Sequence, residues 1–135
     1  MQAGSFYYLF TIIMKQLYKD MKTGNLTAMK CKPCEGGIPP LNQIEISTFM
    51  KAVDREWQVK DNMKISKDFT FVNYRHTIDF VNRIAELAEK EGHHPVMHVY
   101  FGKIEIELWT HAIDGLSEND FIMAAKIDQL QRGLR

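Results

Sequence analysis

The sequence lacks most features that would mark a membrane-spanning, disulfide-stapled or nucleic-acid-binding protein. Only two of its 135 residues are cysteine. A single domain of this length, 45% hydrophobic and 25% charged, builds a sufficient core without disulfides. There is no charge of one sign to spare. Lys and Arg count 17, Asp and Glu count 17, and the formal net charge is +0. Neither nucleic acid nor an anionic membrane is therefore a default partner. No long hydrophobic run is present. Phe6–Ile13 is apolar, but it is too short to cross a bilayer and no basic segment precedes it, as a signal peptide would require. Repeats and low-complexity tracts are absent as well. The two cysteines form one C-x-x-C, Cys31-Lys32-Pro33-Cys34, followed by Glu35-Gly36-Gly37-Ile38-Pro39-Pro40. That context is a loop, whereas a thioredoxin-like motif opens a helix after a strand. A second pair that would complete a four-ligand zinc site is missing. The expectation is a reduced, non-catalytic pair and no metal.

What is present divides the chain in two. Residues 1–40 are expected to be an N-terminal extension, partly without fixed structure, that carries the C-x-x-C loop. Met14, Met21 and Met29 are alternative starts, and residues 1–28 are assigned no function. Gly24 and Lys32–Pro40 are the clearest breaks. Residues 41–135 form the domain. Leu41–Val53 has the apolar spacing of a short amphipathic helix. Trp57 and Val59 alternate with polar neighbours as a strand does, and Met63–Phe71 forms a second strand after the turn Asp61-Asn62. Phe80, Ile84 and Leu87 predict a helix over 73–91, stopped by Gly92. Two more strands follow, Val96–Phe101 and Lys103–Thr110, joined through Gly102. In the second, Ile104, Ile106 and Leu108 alternate with Lys103, Glu105 and Glu107, the period of a strand with one wet face. A last helix begins after Gly115-Leu116-Ser117. The expected class is α+β, a four-stranded antiparallel sheet with helices packed on one face.

Chemistry concentrates where elements end. Of five histidines, His93 and His94 follow Gly92 at the end of the long helix, and His111 follows the alternating strand. Pro95 holds His94 extended. Imidazoles brought together at element ends suit proton transfer near neutrality.

The spaced set Glu89-Lys90-x-x-His93-His94-Pro95, Phe101, Thr110-His111, Gly115-Leu116-Ser117 and Asp120 resembles the signature of the pterin-4a-carbinolamine dehydratases, also known as dimerisation cofactors of a homeodomain transcription factor. The likeness extends upstream to about Trp57, and Cys31-x-x-Cys34-Glu35-Gly36-Gly37 with Pro39-Pro40-Leu41 is similar to the opening of many bacterial and plant members. The resemblance implies dehydration of 4a-hydroxytetrahydropterin to the quinonoid dihydropterin, which recycles the cofactor of aromatic amino-acid hydroxylases in the cytoplasm, with no bound cofactor. It implies His93, His94 and His111 as the catalytic set. Pro95, Asp120 and Trp57 are implied as substrate-binding residues, and a homodimer or homotetramer as the assembly.

Each residue also has a plainer reading. His93 and His94 suit a helix C-terminus electrostatically. Ser117-x-x-Asp120 before an apolar helix is a capping-box pattern, so Asp120 is both a structural and a functional candidate. His76 and His98 match no motif position and are read as ordinary surface or satisfied histidines, and Trp109 is read as packing rather than substrate stacking. Asn119 stands where better-known animal members often carry Arg. Two other function classes remain. One is a non-enzymatic oligomeric module or coactivator-like scaffold, using Phe121, Ala125 and Leu130 on the last helix as an interface. The other is a metal site from His93, His94, His111 and Asp120, disfavoured because adjacent residues of an extended segment point to opposite sides.

Overall fold

The computed structural model describes residues 3–23 and 25–134, so Gly24, one expected break, lies outside the described residues. Residues Ala3–Thr23 form helix α1, whose Phe6, Tyr7, Tyr8, Leu9 and Phe10 side chains are exposed. A single 3-10 turn, Leu26–Ala28, follows. The domain then runs α2 (Gln43–Met50), β1 (Gln58–Lys60), β2 (Lys64–Thr70), α3 (Tyr74–Glu91), β3 (Val96–Val99), β4 (Lys103–Leu108) and α4 (Glu118–Arg132). The four strands make one antiparallel sheet, as the α+β reading expects, and their order in it is β1-β2-β4-β3. Among the described residues, no helix is long and apolar enough to cross a membrane.

Local chemistry sets the element boundaries. Asn73 caps α3 by accepting from His76 N–H at 2.9 Å. At the other end Gly92 adopts φ +66, the left-handed conformation that closes a helix at little cost only for glycine. Between them Phe80, Ile84 and Ala88 form the buried stripe. On β4, Ile104, Ile106 and Leu108 are fully buried while the glutamates between them stay partly wet, as the period-2 pattern requires.

Helix α4 lies deepest. Its residues 119–125, 127 and 128 are all buried, and Phe121 stacks on Phe49 of α2 with ring centroids 5.0 Å apart. This corrects the oligomer-interface expectation. Phe121 and Ala125 are 0% and 7% exposed within the single chain, because α2, α3 and the sheet already cover the face they occupy. Leu130 alone of the three is partly open.

A lysine stands inside the core. On β2, Ile65, Lys67 and Phe69 share the inward face, and Lys67 is 5% exposed. Its ammonium meets Asp128 of α4 at 2.8 Å and Asp54 at 3.4 Å. Asp128 also accepts from the Trp57 indole N–H at 3.0 Å. The sheet and α4 are thus tied by a buried ion pair whose remaining oxygen is satisfied by an indole. Removing one partner leaves the other charge buried and unmatched. Asp128→Ala is expected to destabilise the fold by about 3–5 kcal/mol, read from the urea midpoint, and a loss below about 1 kcal/mol would contradict this account of the pair.

Candidate active site

The end of α3 and the start of α4 meet through two side chains. The left-handed turn at Gly92 delivers His93 toward α4, and His93 Nε2 lies 2.6 Å from Asp120 Oδ1. Asp120 is fully buried. Its second oxygen, Oδ2, accepts from Ser117 N–H at 2.9 Å and from the Thr110 hydroxyl at 2.9 Å. The carboxylate therefore carries out the expected helix-capping function and holds an imidazole with the same group. A histidine nitrogen facing a carboxylate carries the proton, which makes Nδ1 the lone-pair nitrogen of His93 whenever the ring is neutral.

The other predicted residues divide. His94 adjoins His93 in the chain, but its Nε2 bonds Glu89 at 2.8 Å and both side chains are largely exposed. His111 opens a 3-10 turn, His111–Ile113, directly after Thr110, and is exposed. Thr110 N–H bonds Gly115 O at 2.8 Å, so the loop carrying His111 closes back on the start of α4. His93, Asp120 and the His111 loop are thus joined through Thr110, while His94 borders them on the solvent side. Pro95 is half-buried just before β3. Trp57 is not brought to this cluster. It is 2% exposed, packs edge-on against Phe69 and uses its N–H on Asp128. Its indole serves the core and offers no open face to a ligand, which corrects its expected substrate-binding role.

Sequence reasoning gives Ser117 a capping role but none to the hydroxyl of Thr110, and the two hydroxyls lie 2.6 Å apart. The signal was available in the motif letters, since both flank the loop that precedes a capping acid. Asn119 is also accounted for. Its amide accepts from Lys32 N–H at 2.9 Å and donates to Lys32 O at 2.7 Å. Both ends of the side chain are thereby committed to the main chain of the N-terminal segment.

That segment straps the site from outside. Cys31 N–H donates to Glu91 at 2.8 Å, and Leu41 N–H donates to Leu116 O at 2.8 Å. Gly115 packs so close to Pro40 that a Cβ there would sit 2.6 Å from the proline ring. Glu91 is also bonded by Lys126 of α4. Burial raises the Glu91 carboxyl, but the Lys126 ammonium and the Cys31 N–H outweigh it and hold it below its ordinary range. Burial, followed by the Glu91 charge, pushes the Cys31 thiol up to about 12. Elsewhere, His98, Glu105 and Glu107 place ligand-type atoms within 4.8 Å of one another on the outer sheet face. Glu107 is already held there through both oxygens by Lys64 at 3.0 Å.

Comparison with known proteins bears on the same residues. The family model for pterin 4 alpha carbinolamine dehydratase matches residues 39–130. A Nitrosomonas europaea protein assigned by name to the pterin-4-alpha-carbinolamine dehydratases is 53% identical over 106 residues, covering 78% of this chain and 93% of its own length. A Rickettsia bellii protein with the same name is 47% identical over 109 residues, covering 81% and 96%. Among solved structures, a Brucella melitensis protein described as a transcriptional coactivator/pterin dehydratase superposes with a TM-score of 0.63 at 29% identity. That match covers 67% of this chain and 97% of the other.

The strap yields a prediction independent of any reaction. Cys31 is buried with its thiol held protonated, whereas Cys34 is half-buried and both are free. With the thiolate as the reactive form, a disulfide reagent at pH 8 is expected to titrate one thiol per folded chain quickly, and the second only after denaturant is added. Two thiols reacting at equal rates in the native protein would contradict the strap geometry.

Proposed function

This chain belongs to the pterin 4 alpha carbinolamine dehydratase family, and on that premise we propose that it removes water from 4a-hydroxytetrahydropterin to give the quinonoid dihydropterin. The observation that carries the reading is the buried carboxylate of Asp120 held against His93 inside the matched segment. In the reaction the proton on N5 leaves, the N5–C4a double bond forms and the C4a hydroxyl departs as water. Electrons are conserved within the substrate, so the balance calls for one proton acceptor and one proton donor and for no electron acceptor.

We assign His93 as the acceptor. Asp120 takes a hydrogen bond from Nε2, which fixes the ring and leaves Nδ1 with the lone pair. His94 and His111 are the remaining imidazoles of the motif, both solvent-facing, and they supply the proton for the departing hydroxyl. Pro95 shapes the chain between His94 and β3. Recycling of the pterin cofactor of an aromatic amino-acid hydroxylase is the proposed context. The assembly is a homodimer or homotetramer, joined through a surface other than the covered face of α4.

A second reading, an oligomeric scaffold without turnover, draws only on the coactivator half of the Brucella melitensis description, transcriptional coactivator/pterin dehydratase. The two separate cleanly. Decay of freshly generated 4a-hydroxytetrahydropterin, followed by stopped-flow absorbance, is expected to accelerate with wild-type protein. His93→Ala and His111→Ala are each expected to lose about 100-fold of that acceleration while keeping the native circular dichroism. Full rate in His93→Ala would overturn the assignment of the acceptor. A folded, oligomeric wild type with no acceleration would leave the scaffold.

A further inference from the structure

The hydroxyl of Thr110 takes no part in the proton transfers assigned above, yet it is buried at the centre of the site. Thr110 is 2% exposed, and its Oγ1 lies 2.9 Å from Asp120 Oδ2 and 2.6 Å from Ser117 Oγ. The direction of these bonds follows from proton counting. A carboxylate can only accept, so the single proton of Thr110 goes to Asp120. The close contact between the two hydroxyls then requires Ser117 to donate to Thr110. The result is a one-way chain, Ser117 to Thr110 to Asp120. His93 and the Ser117 backbone N–H donate to the same carboxylate.

We propose that Thr110 is a positioning residue for the dehydration, one that acts through Asp120 to hold His93 as the Nε2–H tautomer with Nδ1 free to accept a proton. This deepens the reading of His93 as proton acceptor and rests on it. The geometry supports a positioning role in two ways. First, Asp120 receives its two main-chain and hydroxyl donors on Oδ2 alone, so its Oδ1 stays aimed at His93. Without the Thr110 donor the carboxylate is held on that side by one bond and can rotate about its axis. Second, Thr110 is the residue immediately before His111, and its own N–H is tied to Gly115 O. One residue therefore sets the orientation of the His93 support and the start of the His111 turn.

A purely structural threonine and a positioning threonine give different results. The probe is freshly generated 4a-hydroxytetrahydropterin, with Thr110→Val, Thr110→Ala and Thr110→Ser compared with wild type. Imidazole tautomers are read separately by nitrogen-15 NMR of labelled protein without substrate. Val and Ala are expected to lower kcat roughly tenfold with KM within about twofold, since the lost interaction is one made for the chemical step. The His93 signals are expected to leave the Nε2–H pattern in both. Ser keeps the hydroxyl and is expected to restore both readouts to near wild type. Should Val not fold, the Ala and Ser pair carries the comparison alone. Wild-type kcat and tautomer in the Ala variant would overturn the proposal. So would equal losses in Ala and Ser, because the methyl group and its packing would then be responsible. An inactive wild type with the expected tautomer changes would instead defeat the dehydratase reading and leave the positioning of His93 standing.

Discussion

A buried carboxylate must be matched by donors or it will not stay charged in the interior, and Asp120 is the point at which this chain meets that constraint. Three donors from three segments converge on it: the imidazole of His93 after α3, the hydroxyl of Thr110 after β4, and the backbone N–H of Ser117 at the head of α4. Each is local to the end of a different element. The requirement to satisfy one side chain therefore brings together the three termini that carry the motif. The arrangement is cheap in fold terms, because the same carboxylate caps α4 and would be present there for stability alone.

The surrounding structure keeps that point fixed. The sheet and α4 are joined behind it by the Lys67–Asp128–Trp57 cluster, and α4 is enclosed on nearly every side. In front, residues 31–41 run across the heads of α4 and the 110–117 loop, pinned through Asn119, Glu91 and Leu116. The Asn119 amide is spent on this strap. That places it among the structural residues of this chain, even though it directly precedes Asp120.

Much of this architecture is legible in the sequence where the cause is local. The alternation of Ile104, Ile106 and Leu108 and the Gly92 stop each depend on neighbours a few residues away, and each forms as expected. Readings that depend on distant partners fare less well. Trp57 carries aromatic character suited to a ligand, but its N–H is claimed by Asp128, 71 residues on. The apolar face of the last helix announces that something covers it without saying whether another copy or the chain itself does so. Lys67 is the instructive case. The pattern Ile65-x-Lys67-x-Phe69 puts a lysine on an apolar face, which calls for a buried acid, and Asp128 on the last helix answers it. At the site, the motif spacing marks His93 and Asp120, but their contact and its link to Thr110 arise only in the folded chain.

The central claim is that the Asp120 carboxylate makes His93 a proton acceptor, and Asp120→Asn tests it with the least change in shape. An amide in that position presents N–H where His93 needs an acceptor, or turns its oxygen to His93 and loses the Ser117 and Thr110 donors. The measurement is the stopped-flow decay of 4a-hydroxytetrahydropterin with the folded Asp120→Asn protein beside wild type. The account predicts a loss of at least about 100-fold in the catalysed rate with the native circular dichroism retained. A folded Asp120→Asn protein that dehydrates the substrate at the wild-type rate would contradict it.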